Sequence, residues 1–502
     1  MEIYTLITLG IYFVVMLGIG VYAYRVSGDD MEGYVLGGRN VSPHVTALSA
    51  GASDMSGWML MGLPGAMFVM GYDTLWIALG LLIGALANYR LIAPRLRVYT
   101  EVANDALTLP DFFAKRFVEE KGSLRLITAL VTILFFTLYT SAGLVAGGKL
   151  FESVFNLDYT LGLVVTAGVV VAYTLLGGFL AVSMTDFVQG CIMFIALVMV
   201  PYVAFQEFDS ISELNQITTE QIGTMSTMLS DVTLLGVISS MAWGLGYFGQ
   251  PHILVRFMAI HSTKDIPVAK RIGMSWMTVT LIGALGTGLV GVAYTQKFTL
   301  PLDDPETIFI VFSQTLFHPA ISGFLLAAIL AAIMSTISSQ LLVSSSSLTE
   351  DLLKVFFKGS SELQRSALPG RIAVIAVAAV AVLIAAGKNN SVLSLVSNAW
   401  AGFGAAFGPL VIFSLFWKNM TRAGAIAGVI VGAVTVLFWI YAPITIAGAK
   451  LNEHLYEIVP GFIFSSAAIV IVSRFGAQTK SEKAKEIRRT FITAQQTLLE
   501  QS

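Results

Sequence analysis

Apolar runs long enough to cross a bilayer, about 20 residues each, recur along the whole chain and alternate with short polar connections. They predict thirteen membrane spans, over residues 3–25, 44–71, 74–94, 125–151, 160–179, 184–206, 232–255, 272–295, 317–346, 371–387, 392–417, 423–443 and 458–474. The fold class that follows is an all-α polytopic membrane protein.

Three stretches break the apolar pattern. The second span contains "SAGASDMSGWMLMGLPGA", Ser49 to Ala66, with Asp54 at membrane depth among Gly51, Ser53, Ser56, Gly57, Gly62, Pro64 and Gly65. A charge at the bilayer centre costs roughly 2.5–3.5 kcal/mol on insertion scales and marks a functional position by default. Glycine and proline loosen the helix around it. Unwound backbone survives at that depth only inside protein or beside a wet cavity. Its freed carbonyl oxygens suit a hard cation such as Na⁺.

The seventh span, "MAWGLGYFGQPHILVRF" (Met241 to Phe257), is broken by Gly244, Gly246, Gly249 and Pro251. Trp243 and Tyr247 are four apart and share a face if that half stays helical. Arg256 marks the cytoplasmic end, which sets Trp243 more than two turns inward. The two broken spans are five apart. Paired interruptions in corresponding positions point to the binding site of a transporter built from inverted repeats. Spans 2–6 and 7–11 then form two five-helix repeats, and an odd repeat length forces the inversion. In the ninth span, Ala332, Ser335, Thr336 and Ser339 recur at helical spacing. Their oxygens would complete a cation shell begun on span two, although small and hydroxylated residues also serve tight helix packing.

Charge supplies orientation. Lysine and arginine concentrate in the odd-numbered connections: Arg39; Arg95, Arg97, Lys115, Arg116 and Lys121; Lys264, Lys270 and Arg271; Lys354, Lys358 and Arg365; Lys418 and Arg422; and the tail from Lys480 to Arg489. The even side keeps Lys149, Lys297, Lys388 and Lys450, four of 29 basic residues, and an acidic loop with Glu207, Asp209, Glu213 and Glu220. The positive-inside rule therefore places the amino end outside and the carboxyl tail in the cytoplasm. The segments are 1–43 (first span and loop), 44–206 (first repeat), 207–231 (acidic extracellular loop), 232–417 (second repeat), 418–474 (spans 12 and 13) and 475–502 (charged amphipathic tail).

Composition agrees, with 56% hydrophobic and 12% charged residues. A net charge of −2 without a basic aromatic patch gives no sign of nucleic-acid binding. The one cysteine, Cys191, excludes an internal disulfide and a cysteine metal site. The acidic start at Glu2 and the lack of a cleavage site make the first span a retained helix. The tail is too short for a catalytic or signalling domain, and no enzymatic site is evident.

Five pieces resemble the sodium:solute symporter family: "YVLGGRNVSPHVTALSAGASDMSGWMLMGLPGA", "LTLPDFFAKRF", "LLGGFLAVSMTDFVQG", "WGLGYFGQPHILVRFMA" and "AAIMSTISSQLLVSSSSLTEDL". The resemblance implies a LeuT-type core of two inverted five-helix repeats, with one span before it and two after. It implies Na⁺-coupled uptake of L-proline by alternating access, in a bacterial cytoplasmic membrane. The other solutes to weigh are another amino acid, pantothenate or a sugar; a transporter-like sensor would need a larger cytoplasmic domain.

By the same resemblance, Na⁺ is the coupling ion and no other cofactor is expected; partners are L-proline, Na⁺ and membrane lipid, without an obligatory protein. The sodium site falls on the carbonyls of Ala52, Met55 and Ala332 and the hydroxyls of Ser335 and Thr336. Asp54 and Asp186 would serve sodium coupling, Asp186 from between spans five and six. The solute pocket falls on Ser56, Trp58, Tyr139, Trp243, Tyr247 and Pro251, with Phe248 and Gln250 beside it.

Overall fold

The computed structural model describes residues 3–26, 36–176, 178–223, 233–353, 368–387, 391–446, 448–475 and 482–501. Lys354, Lys358, Arg365, Lys388 and Lys480, used above for orientation, lie outside the described residues, as do 27–35, 224–232 and 476–481. Helices dominate: α1 Ile3–Val26, α2 Pro43–Asp54, α3 Leu63–Met70, α4 Thr74–Ala87, α5 Ala93–Val102, α6 Leu109–Arg116 and α7 Ser123–Phe155. They continue with α8 Tyr159–Leu176, α9 Phe179–Phe205, α10 Ile211–Ile222, α11 Leu234–Met241, α12 Pro251–Ala259, α13 Ile266–Lys297 and α14 Ile308–Thr315. The last are α15 Pro319–Ser346, α16 Leu368–Ala385, α17 Val392–Phe416, α18 Arg422–Tyr441, α19 Leu451–His454, α20 Ile458–Phe475 and α21 Glu482–Gln501. A two-stranded hairpin, β1 Thr445–Ile446 with β2 Ala449–Lys450, precedes α19.

Among the described residues, nine helices are long and apolar enough to cross a membrane, and three shorter apolar ones cover Tyr159–Ala172, Leu234–Phe248 and Ile372–Ala385. α9 packs on α1, α2, α13 and α15, while α7 packs on α8, α15, α16 and α17. α17, α18 and α20 form a closely packed trio. The interior is continuous around these helices and draws buried side chains from almost every one.

The broken second span is two helices, α2 and α3, joined through a wide turn over Trp58–Gly62. The third span does not stop at 94; it continues through Asn88–Ile92 into α5, so Arg95 and Arg97 belong to a helix and not to a loop. The sixth span starts at Phe179, ahead of the expected 184, so Asp186 lies two turns inside the helix and not at its edge between spans. In the seventh span, a 3₁₀ segment over Ala242–Phe248 separates α11 from α12.

Connections of like parity meet one another. Arg39 donates to Thr100 Oγ1 (3.1 Å), to Met258 O (2.9 Å) and to Ala106 O (2.8 Å). Arg97 reaches Ile260 O at 2.6 Å, and Val41 bridges Ile260 in parallel register. α21 lies across this basic face: Ile487, Phe491 and Ala494 are buried, Arg116 donates to Ile487 O at 3.4 Å, and Gln495 donates to Leu415 O at 3.2 Å.

At the opposite, acidic end, Lys149 pairs with Glu306 (2.6 Å) and Asp304 (2.8 Å). Glu306 also accepts from Ser391 Oγ (2.9 Å) and from the amides of Val392 (3.0 Å) and Leu393 (3.1 Å), covering the start of α17. One carboxylate thus satisfies amides that an exposed helix start would leave open and ties α7 to α17. Lys297 similarly bonds Glu213 of α10 at 2.7 Å.

Three glycines decide how near the fourth helix comes to the 3₁₀ break. A Cβ on Gly84 would stand 2.2 Å from Gly244 O, one on Gly80 2.4 Å from Met241 O, and one on Gly244 2.2 Å from Gly80 O. Backbone cannot yield there as a side-chain tip would, so the helices must part. We expect Gly84→Ala to destabilise the protein by about 1–3 kcal/mol, the range of core overpacking, seen as a lower melting temperature in detergent. Gly168→Ala, where nothing lies within 4 Å, should be neutral or mildly stabilising, since alanine gains ~1 kcal/mol of helix propensity. Equal melting of the two variants would refute the close-approach argument.

Candidate functional site

The chemistry begins with one carbonyl. In an unbroken helix, Ala52 O would accept the amide four residues on, that of Ser56. The ladder holds as far as Met55 N to Gly51 O (2.8 Å), and then Met55 leaves helical geometry with φ −85° and ψ 73°. Ser56 N turns instead to Asp54 O at 3.0 Å. Ala52 O is left without its amide and accepts Ser335 Oγ at 2.7 Å and Thr336 Oγ1 at 3.4 Å from α15. Ser335 Oγ also lies 3.1 Å from Ala332 O. Four of the five predicted sodium ligands are therefore one buried oxygen cluster, and Met55, the fifth, is the residue at which the helix opens. Carbonyls and hydroxyls without a net charge suit a monovalent hard cation.

Asp54 faces away from this cluster. Its Oδ2 accepts Tyr247 Oη at 2.5 Å, and Oδ1 is buried without a partner. Asp54 O accepts two further donors, Tyr139 Oη at 3.1 Å and Trp58 Nε1 at 3.2 Å. The residue thus joins both broken spans and α7 through its backbone and side chain together. A small cavity lies beside the carboxylate, lined by Asn88, Tyr89, Tyr247 and Met277 among others. Asn88 Oδ1 and Nδ2 are likewise buried without partners.

The aromatic residues meet at the same level. Trp58 and Trp243 have ring centroids 6.3 Å apart, Trp243 stacks on Tyr456 at 5.4 Å, and Tyr247 sits edge-on to Trp400 at 5.1 Å. Trp243 and Tyr247 do not share a face as expected. With three residues per turn in the 3₁₀ segment, a spacing of four rotates the second side chain by about a third of a turn. One ring therefore reaches Tyr456 and the other reaches Trp400 and Asp54.

Trp400 Nε1 donates to Trp243 O at 2.7 Å, and Gln250 Nε2 donates to Trp400 O at 3.3 Å. Gln250 Oε1 stays buried and unpartnered. Ser56 Oγ lies 3.5 Å from Trp58 N, and Pro251 opens α12. Phe248 is partly buried at the end of the 3₁₀ segment.

Asp186 is buried and forms a second polar cluster, closer to the basic face. Its Oδ2 accepts Ser49 Oγ (2.7 Å), Arg256 Nη2 (3.1 Å) and Ser339 Oγ (3.5 Å). Arg256 donates in addition to Ser339 Oγ (2.6 Å), Ser49 Oγ (3.1 Å) and His252 O (2.5 Å). Arg256 does lie in the last turn of α12, where it is 1% exposed and paired with Asp186. A guanidinium at this depth needs a carboxylate to offset its desolvation, and α9 supplies one. Ser49 and Ser339 are each about one helical turn from the Ala52–Ser335 contact, so the two clusters are stacked along the same pair of helices.

Trp400, Tyr456, Asn88 and His252 escaped the sequence reading. Trp400 stands alone among small residues in "NAWAGFG", which is a signal of a kind, but its partner is 157 residues away. Tyr456 and Asn88 have no local signature. His252 sits between the rings of Phe136 (5.5 Å) and Tyr139 (6.0 Å), with both ring nitrogens unpartnered.

A family model described as "Sodium:solute symporter family" matches residues 34–432. The chain is 56% identical over 477 residues to the osmoregulated proline transporter OpuE of Bacillus subtilis (strain 168), covering 94% of this chain and 95% of that one. It is 52% identical over 474 residues to sodium/proline symporter 2 of Staphylococcus saprophyticus, covering 94% and 93%. In fold it is similar to a Na⁺-coupled sialic acid symporter solved in a substrate-bound outward-open state, with TM-score 0.80, 20% identity, and 95% and 98% coverage. A nucleobase-cation-symport-1 family transporter in a closed conformation follows with TM-score 0.54, 13% identity, and 91% and 98% coverage.

The architecture is the LeuT-type one, and this family consists of transporters, not enzymes. With a matched region that spans both helix breaks, the oxygen cluster on α15 and the aromatic residues, the chain belongs to the sodium:solute symporter family.

Proposed function

We propose that this protein is a Na⁺-coupled symporter that carries L-proline into the cell by alternating access. The observation that carries this reading is the freed Ala52 carbonyl, bracketed by Ser335 and Thr336, two residues from the Asp54–Tyr247 bond that ties it to the aromatic residues. The names of its relatives at 51–56% identity supply the solute. The thirteen-span count, the repeats over 44–206 and 232–417, the outside amino end and the cytoplasmic tail are parts of the same proposal.

In this reading, Na⁺ is held by the carbonyls of Ala52, Met55 and Ala332 and the hydroxyls of Ser335 and Thr336. It replaces the direct Ser335–Ala52 hydrogen bond and holds α2 against α15. Proline is a compact zwitterion with an apolar ring. The restart of the helix after Met55 suits its carboxylate, because a half-helix start carries the positive end of the dipole. Gln250 Oε1, a buried acceptor without a partner, suits its secondary ammonium. Trp58, Trp243 and Tyr247 suit the ring and offer π faces worth roughly 0.5–2 kcal/mol each to a cation. Trp58 and Trp243 touch in this conformation, so solute entry replaces that contact.

Asp54 is the coupling element. Its backbone ends the helix that carries the sodium ligands, and its carboxylate orients Tyr247 on the solute side. Linkage then makes sodium and solute raise each other's affinity by the same factor. Asp186, with Arg256, Ser49 and Ser339, lies on the route from the sodium cluster to the basic face, where it would guide sodium release.

The test of function is uptake of labelled proline into proteoliposomes under an imposed inward sodium gradient, with other amino acids, pantothenate and sugars as competitors. We expect sodium-stimulated accumulation that only proline competes strongly; accumulation of a different solute would transfer the reading to that solute.

Ser335→Ala should raise the sodium concentration for half-maximal uptake about tenfold, equivalent to ~1.4 kcal/mol. Thr336→Ala, whose oxygen is more distant, should raise it about threefold, close to ~0.7 kcal/mol on the same scale. Unchanged sodium dependence in both variants would remove the hydroxyls from the shell.

Tyr247→Phe deprives Asp54 of a charge-assisted bond worth ~1.5–3 kcal/mol, so proline affinity and sodium dependence should weaken together. Trp243→Ala should weaken proline alone, by about tenfold. Wild-type sodium dependence in Tyr247→Phe would show that Asp54 does not couple the two sites through this hydroxyl.

A further inference from the structure

Five cationic side chains converge on one hollow at the basic face, away from the sodium and solute machinery. The hollow encloses about 310 Å³ where the turn after α6, the connection from α17 to α18 and the first half of α21 meet. Lys121, Lys418, Arg422, Lys483 and Arg488 line it, and among the described residues no acidic side chain does.

A surplus of lysine and arginine on a cytoplasmic surface is ordinary; the convergence of five on one hollow, three of them outside any ion pair among the described residues, is not. Lys121, Lys418 and Arg488 make no ion pair or hydrogen bond among the described residues. Arg422 has Nη1 3.8 Å from Glu119 Oε1 and Nε buried without a partner. Glu119 itself is already engaged by Ser123 Oγ and by the amides of Leu124 and Arg125 at the start of α7. Lys483 pairs with Glu120 at 2.7 Å, and Lys121 lies within electrostatic reach of the same carboxylate. The hollow is also where α18 begins, capped by Thr421, and a helix start adds positive potential.

Arg422 is the first residue of a strongly apolar helix, which sets the hollow at the boundary where lipid phosphates lie. Cations focused in a concave site attract anions far more than the same charges spread on a plane. Basic pockets at this level are the usual hosts of anionic head groups.

We propose that this hollow binds a phosphate-bearing anion, which pins α21 to the turns after α6 and α17. Neutralising the cations lets the tail helix rest on the body without mutual repulsion between Lys483 and Arg488 on one side and Lys121 and Lys418 on the other. An anionic lipid head group and a free phosphate compound present the same chemistry, and the experiment separates them.

The full-length protein is placed in nanodiscs of phosphatidylcholine alone or with added phosphatidylglycerol. Hydrogen exchange of α21 and lipid retained in native mass spectra are then recorded. Inorganic phosphate and pyrophosphate are titrated into the phosphatidylcholine discs with the same exchange readout. The variant Lys121→Gln/Lys418→Gln/Arg488→Gln removes the three unpaired cations and leaves Arg422–Glu119 and Lys483–Glu120 in place. Lys264→Gln/Lys270→Gln/Arg271→Gln removes equal charge from the basic side elsewhere, and melting temperature confirms that both variants are folded.

We expect at least one anion to slow exchange of α21 about tenfold in the wild type and in the Lys264 variant. The Lys121 variant should lose at least tenfold in affinity for it. Protection by phosphatidylglycerol alone identifies a lipid site, and protection by phosphate or pyrophosphate in phosphatidylcholine identifies a soluble ligand. No protection by any of them, or equal loss in both variants, would overturn the proposal. Neither readout involves transport, so the result stands apart from the proposed solute.

Discussion

A single backbone oxygen, Ala52 O, sets the terms for the centre of this molecule. A carbonyl at membrane depth cannot remain without a donor, and the turn at Met55 takes away its amide. Three consequences follow from repairing that loss. α15 must present hydroxyls at that height, α2 must lie close enough to use them, and the chain beyond Met55 must find other partners for Asp54 O. Tyr139 and Trp58 fill the last role, which brings α7 and the restart of the broken span to the same point. The oxygen cluster on α15 and the aromatic residues are neighbours because one helix end satisfies its acceptors in two directions.

The polar clusters along α2 and α15 follow a common logic of local neutrality. The Ala52–Ser335 oxygens carry no charge and satisfy each other by hydrogen bonding. One turn away, Asp186 and Arg256 cancel each other and are further bonded by two serines. At the acidic end, Glu306 is matched by Lys149 and by helix-start amides. Buried charge is tolerated where a partner is supplied within hydrogen-bond reach, and each of these clusters joins elements distant in sequence. The pairs fix which helices are neighbours on either side of the ion cluster.

The spans, the two breaks and the oxygen-bearing face of α15 were legible in the sequence because each is a local pattern: an apolar run, a cluster of glycine and proline, or hydroxyls three and four apart. Arg256 was legible as a residue near the end of its span, but its pairing with Asp186 on α9 is a tertiary fact. Trp243 and Tyr247 would share one face only if that half stayed α-helical, and the segment winds as 3₁₀. Trp400, Tyr456 and Asn88 owe their places to the packing of α17, the approach to α20 and the fourth helix around the break, and no local pattern encodes such adjacency. Asp54 was legible as an acid inside a broken span, but that its carboxylate turns toward Tyr247 was not.

The 3₁₀ segment between α11 and α12 also has a mechanical meaning. Seven residues at about 2.0 Å each extend roughly 14 Å as a 3₁₀ helix, against about 10.5 Å as an α-helix. The two forms differ by roughly 3.5 Å in length and by about a third of a turn in winding. A change between them would draw α11 and α12 together and rotate Trp243 relative to Tyr247, with no hinge residue and little loss of backbone hydrogen bonding. The segment is in effect a short screw, whose stroke is of the order of one side chain's width.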